Sequence, residues 1–333
     1  MAKPKGSAKI WREMSRPFRQ INSLIKRPWN RYKNKHKLAI WGWWQGQNLG
    51  DNWIRHVMSQ NFPEAICVET NEYDIEQYGF VICGGGGLFV KEVIPPWNRR
   101  KIKVPYGMLG LGVEFQQTLN HAHRLAENAK FFFVRDQESI ERMNLSRIDR
   151  SYDVTFSFPL RFVDENELDM DKALFAWSIL PDLFVRSEFC EYIQNDSNPH
   201  DWLRIFGSQF KEVNLDDFHT TDHDIESRFE GHGFVVSSRF HGVVASIQKG
   251  IPFIAIDASP KIRDIMRDSG LEEYCIKYDQ INQISGLIAK AKDNFRSIRE
   301  KQKTYRERAH KKIIKDVLVA KNEVAKYIFL RDI

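Results

Sequence analysis

The sequence has few of the features that mark secreted, zinc-binding or membrane-spanning chains. Its four cysteines are widely separated and include no C-x-x-C pair, which argues against a disulfide framework and a zinc site. No apolar run approaches the roughly 18 residues of a membrane span. The N-terminal segment lacks the uninterrupted apolar stretch and small-residue cleavage site of a secretory signal. We therefore expect a cytoplasmic protein.

Composition and hydropathy patterning indicate an α/β protein. With 42% hydrophobic and 28% charged residues, the chain is globular in composition, and 333 residues favour two domains over one. Short apolar runs alternate with amphipathic segments, which is typical of parallel strands joined by helices. We predict strands over Leu38–Trp44, Phe80–Cys83 and Phe234–Val236, and helices over Asn52–Gln60 and Gly242–Gln248.

The pattern divides the chain into four parts. Residues 1–37 form a basic arm, residues 38–165 a first α/β lobe, residues 166–292 a second lobe, and residues 293–333 a C-terminal helix. The boundary between the lobes is placed in a segment, 158–171, that contains proline and many acidic residues. The last forty residues have apolar side chains at helical spacing, and such a helix commonly packs back on the first lobe.

The positive charge is concentrated in the arm. The chain carries a net +6, residues 1–37 carry +11, and the remainder therefore carries −5. A negatively charged domain binds the phosphate backbone of nucleic acid poorly, so we expect no nucleic-acid partner for the residues after the arm. Aromatic and aliphatic residues lie between the basic residues of the arm, a mixture that suits an anionic membrane surface. A solvated arm and an arm packed on the body are the alternatives.

Two segments in the first half stand at predicted strand ends, where ligands of open α/β sheets bind. In the first, Asn48–Asp51, the Asp51 carboxylate can also cap the following helix. In the second, Gly84–Gly87, the backbone can approach an anion closely, or simply form a flexible turn. The glycines are followed by no Lys-Ser/Thr pair and show no G-x-G-x-x-G spacing, so neither an NTPase loop nor a dinucleotide site is indicated.

Two further segments place arginines at strand ends. Arg135 and Asp136 follow a predicted strand, where they form either a ligand site or a structural ion pair. Arg239 and His241 follow Ser238 at the start of a predicted helix. Arg239 offers a planar fork for a carboxylate or phosphate, and His241 is a titratable donor two residues away.

Together these segments resemble the polysaccharide pyruvyl transferase family. The chain matches the family's Asn-x-Gly-Asp motif at 48–51, its glycine run at 84–87, its Arg-Asp-x-x-Ser motif at 135–139 and its Arg-x-His-(Gly/Ala) signature at 239–242. The order and spacing of these motifs agree with those of the family across roughly residues 38–290. Between Phe175 and Phe229, where acceptor choice would lie, little can be aligned.

The resemblance implies two Rossmann-like lobes with a central cleft, as in GT-B glycosyltransferases. It also implies transfer of pyruvate from phosphoenolpyruvate to two hydroxyls of a sugar, in a polysaccharide or its lipid-linked precursor, with release of phosphate. Phosphoenolpyruvate is then a co-substrate, and the chemistry needs neither a cofactor nor a metal.

Roles for individual residues follow from this resemblance. Arg239 and Arg135 are candidate anchors for the donor's two anionic groups, with Lys261 as a further phosphate ligand. His241 either supplies a proton or holds the departing phosphate, and Asp51 is the candidate base for an acceptor hydroxyl. The remaining expected contacts are to the donor from Gly84, Gly85, Gly86 and Ser238, and to the acceptor from Asn48.

Two other functions stay open at this stage. A nucleotide-sugar glycosyltransferase with a similar fold would use Arg239 and Lys261 for the diphosphate. A non-catalytic scaffold at the membrane, in a polysaccharide assembly complex, would depend on the basic arm instead.

Overall fold

The chain folds into two lobes, each built on a parallel sheet. The computed structural model describes residues 33–42, 44, 48–69, 74–86, 102–113, 119–177 and 199–328. Apart from its last five residues, the predicted arm 1–37 lies outside these ranges.

The first lobe contains a six-stranded sheet in the order β2-β1-β3-β4-β5-β6, with parallel pairing throughout. Its elements are β1 (Leu38–Gly42), α1 (Leu49–Asn61), β2 (Ile66–Glu69), β3 (Phe80–Gly86), β4 (Tyr106–Leu111), α2 (Leu119–Asn128), β5 (Phe132–Val134), α3 (Gln137–Met143) and β6 (Asp149–Arg150).

The second lobe contains a five-stranded parallel sheet in the order β11-β10-β9-β7-β8. Its elements are β7 (Lys172–Trp177), α4 (Pro199–Phe206), β8 (Glu212–Asp217), α5 (Ile225–Arg228), β9 (Phe234–Ser237), α6 (Phe240–Lys249), β10 (Phe253–Ile256), α7 (Pro260–Asp268), β11 (Cys275–Ile276) and α8 (Ile284–Asp293). The final helix, α9, runs from Phe295 to Ile328.

The central strands are apolar on both faces because helices cover both sides of each sheet. All five residues of β1 and all seven of β3 are buried, and so are all four of β9 and of β10. The two parallel sheets confirm the expected α/β fold with two Rossmann-like lobes.

Several element boundaries differ from the sequence prediction. Strand β1 ends at Gly42, two residues before the predicted Trp44, and β3 continues through Gly86 instead of ending at Cys83. Helix α1 begins at Leu49 and not at Asn52, and α6 begins at Phe240 and not at Gly242. Helix α1 starts earlier because the Asn48 side chain caps it by accepting from Gly50 N, and α6 follows directly on the extended backbone of Arg239.

Helix α9 packs against both lobes through side chains that bind main-chain carbonyls. Arg299 donates to Val163 O and Gly250 O, and Gln302 donates to Ser246 O and Ile251 O. Further along the helix, Asp316 accepts a 2.6 Å hydrogen bond from Ser151 in the first lobe. These contacts fix the helix along the line where the lobes meet.

No helix in the described ranges is both long and apolar enough to cross a bilayer.

The buried amide of Gln302 gives a test of this packing. We expect Gln302→Ala to lower the free energy of unfolding by about 2 kcal/mol, because it removes two hydrogen bonds to buried carbonyls. Urea unfolding measures the change. The control is Lys303→Ala at the exposed neighbouring position, with an expected change within about 0.5 kcal/mol. Equal effects for the two variants would contradict the role given to Gln302.

Candidate active site

Polar residues from both lobes converge where the carboxyl ends of the two sheets face each other. In open α/β sheets this edge is where ligands bind. We call this region the interlobe site, and define it by the side chains of Asp51, Arg135, Asp153, Arg239, His241 and Lys261. The sequence predicted all of them except Asp153.

The first turn of α1 is held directly against the second lobe. The Asn48 side chain caps the helix by accepting from Gly50 N at 3.0 Å, so the predicted cap, Asp51, is wrong. Asp51 lies inside the first turn, because Asn48 has the extended backbone that a capping residue needs. A β-carbon built on Gly50 would lie 1.9 Å from His241 Nδ1. Only glycine allows this approach of α1 to the imidazole.

Three hydrogen bonds tie α1 to the loop that follows β8. Leu49 N donates to Phe218 O at 2.9 Å, and the Asn52 side chain donates to Thr220 O and Asp222 O, each at 3.0 Å. These bonds lie on both sides of Asp51 along the chain. They fix the position of its carboxylate relative to the second lobe.

Asp51 is surrounded by positive charge. Burial raises the pKa of its carboxyl above the ordinary value. Four cationic or titratable side chains act on that pKa in the opposite direction: His241, Lys261, Arg239 and Arg135. The carboxylate therefore combines increased basicity with a cationic neighbourhood drawn from both lobes.

Asp153 is the site residue that the sequence analysis missed. It is 3% exposed, and its Oδ2 lies 3.6 Å from His241 Nε2 across the lobe boundary. Burial opposes ionisation, but the hydrogen bonds and charges of its surroundings outweigh it, above all those of His241, and the pKa of Asp153 is lowered. Asp153 follows β6 in a buried apolar segment, 152–156, and an acid in such a segment was the available signal.

Arg135 reaches across to the second lobe. Asp136 N-caps α3 by accepting from Ser139 N at 2.7 Å, and lies 3.5 Å from Arg135 Nε, so the Arg-Asp step is partly structural. The Arg135 guanidinium is nevertheless stacked 4.5 Å from the ring centre of Phe240, in α6. Lys261 Nζ lies 5.9 Å from the same ring. Both cations thus flank one aromatic side chain.

The space beside these cations is a small interlobe pocket of about 240 Å³, including its opening to solvent. Its lining includes Arg135, Asp153, Phe240, Lys261 and Tyr305, which come from both lobes and from α9. The pocket is lined by two cations, Arg135 and Lys261, and by three acids, Asp136, Asp153 and Asp268.

Arg239 is the N-cap residue of α6, and the Ser237 side chain holds its backbone in place. The Ser237 hydroxyl accepts from Arg239 N at 3.1 Å and donates to Arg239 O at 2.9 Å. Burial lowers the pKa of Arg239, against the charges of Asp51 and Asp217, although an arginine side chain stays cationic near neutral pH. Ser238 is on the same turn and donates its backbone N–H to Ala176 O.

The glycine run lies beneath α1. A β-carbon on Gly84 would lie 2.5 Å from Met58, and one on Gly85 would lie 2.2 Å from Ile54, so both glycines let the helix pack directly on β3. Gly86, with φ of 77°, is the glycine next to the site: its β-carbon would lie 3.5 Å from Asp51 Oδ1. Gly87 lies outside the described residues.

Helix N-termini reinforce the positive character of the site. Helix α6 begins with Phe240 and His241, and α7 carries Lys261 on its first turn. Unpaired N–H groups and the helix dipole favour anions at such positions. The site therefore combines positive charge from both lobes with a carboxylate, Asp51, and an imidazole, His241.

Gly50 gives a test of this geometry. We expect Gly50→Ala to destabilise the fold by about 1–3 kcal/mol, since the added methyl group displaces His241 or the start of α1. Urea unfolding and the NMR signals of the imidazole measure the effect. Gly286→Ala in α8, where an added β-carbon has no neighbour within 4 Å, should instead stabilise by about 0.5–1 kcal/mol. Stabilisation by both substitutions would show that the contact is not tight.

Solved structures with a similar arrangement have low sequence identity to this chain. A functionally uncharacterised protein, KP1_0663 from Klebsiella pneumoniae, is 14% identical, with a TM-score of 0.43 over 72% of this chain and 92% of its own. Anabaena Alr3699/HepE, solved in complex with UDP-glucose, is 10% identical, with a TM-score of 0.48 over 87% of this chain and 98% of its own. No curated protein matches the sequence.

The family comparison is more informative. The model of the family described as polysaccharide pyruvyl transferase matches residues 8–260, well over half of the 333 residues. The matched range includes every residue of the interlobe site except Lys261, which directly follows it. The resemblance inferred from the motifs is confirmed: the chain belongs to the polysaccharide pyruvyl transferase family.

Proposed function

We propose that the protein transfers pyruvate from phosphoenolpyruvate to two hydroxyls of a saccharide, as a cyclic ketal, and releases phosphate. One observation carries this proposal: the start of α1, which holds Asp51, packs against His241 of the other lobe at Gly50, while Arg135 and Lys261, one from each lobe, lie beside the ring of Phe240. Such a site suits a small donor with two anionic groups and an acceptor that must lose protons. The acceptor is a sugar of a polysaccharide or of its lipid-linked precursor.

The cations supply the donor site. Phosphoenolpyruvate carries a carboxylate and a phosphate, so its binding needs at least two separate cationic contacts. Arg135 and Lys261, both close to the ring of Phe240, are suited to one of these groups, and Arg239 at the start of α6 is suited to the other. The backbone amides at the N-termini of α6 and α7 add to the binding of the phosphate.

His241 is the proposed general acid. Proton transfer from its imidazolium to C3 of the enol ether leaves an oxocarbenium-like C2, which the first acceptor hydroxyl attacks. Asp153 Oδ2, 3.6 Å from His241 Nε2, is placed to orient the ring. The nearby cations stabilise the negative charge of the phosphate as it leaves C2.

Asp51 is the proposed general base. Because burial raises the pKa of its carboxyl, the ionised form takes a proton more readily than an ordinary aspartate does. Attack of the two hydroxyls in turn, with loss of phosphate between them, forms the ketal. The two hydroxyl protons balance the one added at C3 and the one carried away by phosphate.

The first functional prediction concerns the reaction. We expect phosphate release from phosphoenolpyruvate that depends on a saccharide acceptor and is unchanged in EDTA, measured by a coupled phosphate assay with mass spectrometry of the product. An acceptor mass increase of one pyruvate minus one water identifies the ketal. Acceptor-dependent release of UDP or GDP from a nucleotide sugar, with phosphoenolpyruvate inert, would instead support the glycosyltransferase alternative.

The second functional prediction distinguishes residues that transfer or position a proton from residues that bind the donor. His241→Asn and Asp153→Asn should lower kcat, by about 10²–10⁴-fold for the first, with little change in donor Kd. Arg239→Lys should mainly weaken donor binding, because a planar two-donor contact becomes a point contact. Calorimetry and single-turnover rates distinguish these effects.

Matched substitutions outside the site provide the controls. His36→Asn and Asp293→Asn change exposed residues and should leave both constants unchanged. If Asp153 acts by positioning His241, adding Asp153→Asn to His241→Asn should lower kcat no further. An additional loss of kcat in the double variant, equal to that of Asp153→Asn alone, would assign Asp153 to the fold alone.

A further inference from the structure

The outer face of α9 differs from the rest of the described surface. Its exposed residues between positions 303 and 326 comprise six bases, one acid, three aliphatic residues and two neutral polar residues. They are Lys303, Thr304, Glu307, Arg308, Lys311, Ile314, Lys315, Leu318, Val319, Lys321, Asn322 and Lys326. We call this set the outer face of α9.

The aliphatic residues of this face form one patch. Ile314, Leu318 and Val319 are 43%, 57% and 45% exposed, and Ile314 and Leu318 are one helical turn apart. Of the five large hydrophobic residues that are exposed among the described residues, three are these. Scattered single apolar residues are ordinary on protein surfaces, but a cluster on one helix indicates a contact surface.

The patch is framed by positive charge. Lys311 and Lys315 lie one turn apart beside Ile314, and neither is paired with an acid in the part of the chain that the structure describes. Lys312, by contrast, pairs with Asp316 on the inner side of the helix. Lys311 and Lys315 are therefore available to an external anion, whereas Lys326 of the same face pairs with Glu323.

The inner side of α9 is already occupied. Ile313, Val317, Ala320 and Val324 are buried against the lobes, so the outer aliphatic residues are not required for the packing of the helix. Substitutions on the outer face can consequently test a surface role without disturbing the fold.

We propose that the outer face of α9 lies on the surface of an anionic lipid bilayer. Lysines that flank exposed aliphatic residues match such a surface, since the charges attract anionic headgroups while the apolar side chains enter the interface. Nucleic acid matches the lysines but gives no reason for the aliphatic patch. A second copy packed on the same face would bring like charges together.

The point where the described chain enters the first lobe lies near the end of α9. Gly79 N donates to Lys37 O at 3.0 Å, and the ring of the next residue, Phe80, lies 5.6 Å from that of Tyr327 near the end of α9. The chain therefore enters the first lobe beside the C-terminal end of this helix.

Vesicle flotation of the full chain tests the proposal. The vesicles are phosphatidylcholine alone, or phosphatidylcholine with 30 mol% phosphatidylglycerol, at low and at physiological salt. We expect Lys311→Glu with Lys315→Glu, and separately Ile314→Ser with Leu318→Ser and Val319→Ser, to lower partitioning onto the anionic vesicles by about tenfold each. Partitioning onto pure phosphatidylcholine should be weak for every form.

The control for net charge is Lys103→Glu with Lys277→Glu, at exposed positions outside α9. This variant should retain more of the partitioning than the Lys311/Lys315 pair. Wild-type partitioning by both α9 variants would overturn the proposal, as would an equal loss in the control. A fall in oligomeric mass by light scattering, or loss of RNA binding with partitioning unchanged, would assign the face to a second copy or to nucleic acid instead.

Discussion

An ionised carboxylate buried between two lobes must meet compensating charge, because burial of an unpaired ion costs several kcal/mol. Asp153 meets this constraint with partners from both sides. Thr155, two residues on, donates to Oδ1 from its backbone and its hydroxyl, while His241 of the second lobe approaches Oδ2. Gln248 in turn donates to the Thr155 hydroxyl from α6. The relative placement of the lobes thus depends on satisfying one carboxylate.

The same placement of the two lobes also fixes the side chain of His241. His241 is held between Asp153 and the bare backbone of Gly50, so its ring has little freedom to rotate. For the proton transfer proposed above, a ring in a fixed orientation loses little entropy when the reacting atoms arrive. The imidazole is ordered when the chain folds.

The sequence allowed the fold class and most of the site to be predicted, for one physical reason. Parallel strands end at a common edge, so Asp51, Arg135 and Arg239 could be brought together from strand positions alone. Asp153 could not, because it caps a short 3-10 turn after a two-residue strand and lies next to a histidine of the other lobe. The cap of α1 was misassigned because Asn48 and Asp51 are both good capping residues, and only the backbone conformation distinguishes them. The partners of Arg299 and Gln302 are main-chain carbonyls, which leave no pattern in the sequence.

The hydrogen bonds between α1 and the loop after β8 depend on a side chain of the helix but on no side chain of the loop. On the second lobe they end on the backbone carbonyls of Phe218, Thr220 and Asp222, which any residue would provide. On the first lobe two of the three require the amide of Asn52. The loop can therefore exchange its side chains without releasing the helix, whereas position 52 has almost no freedom to change. The loop is therefore a place where the sequence can change while the backbone around Asp51 stays fixed.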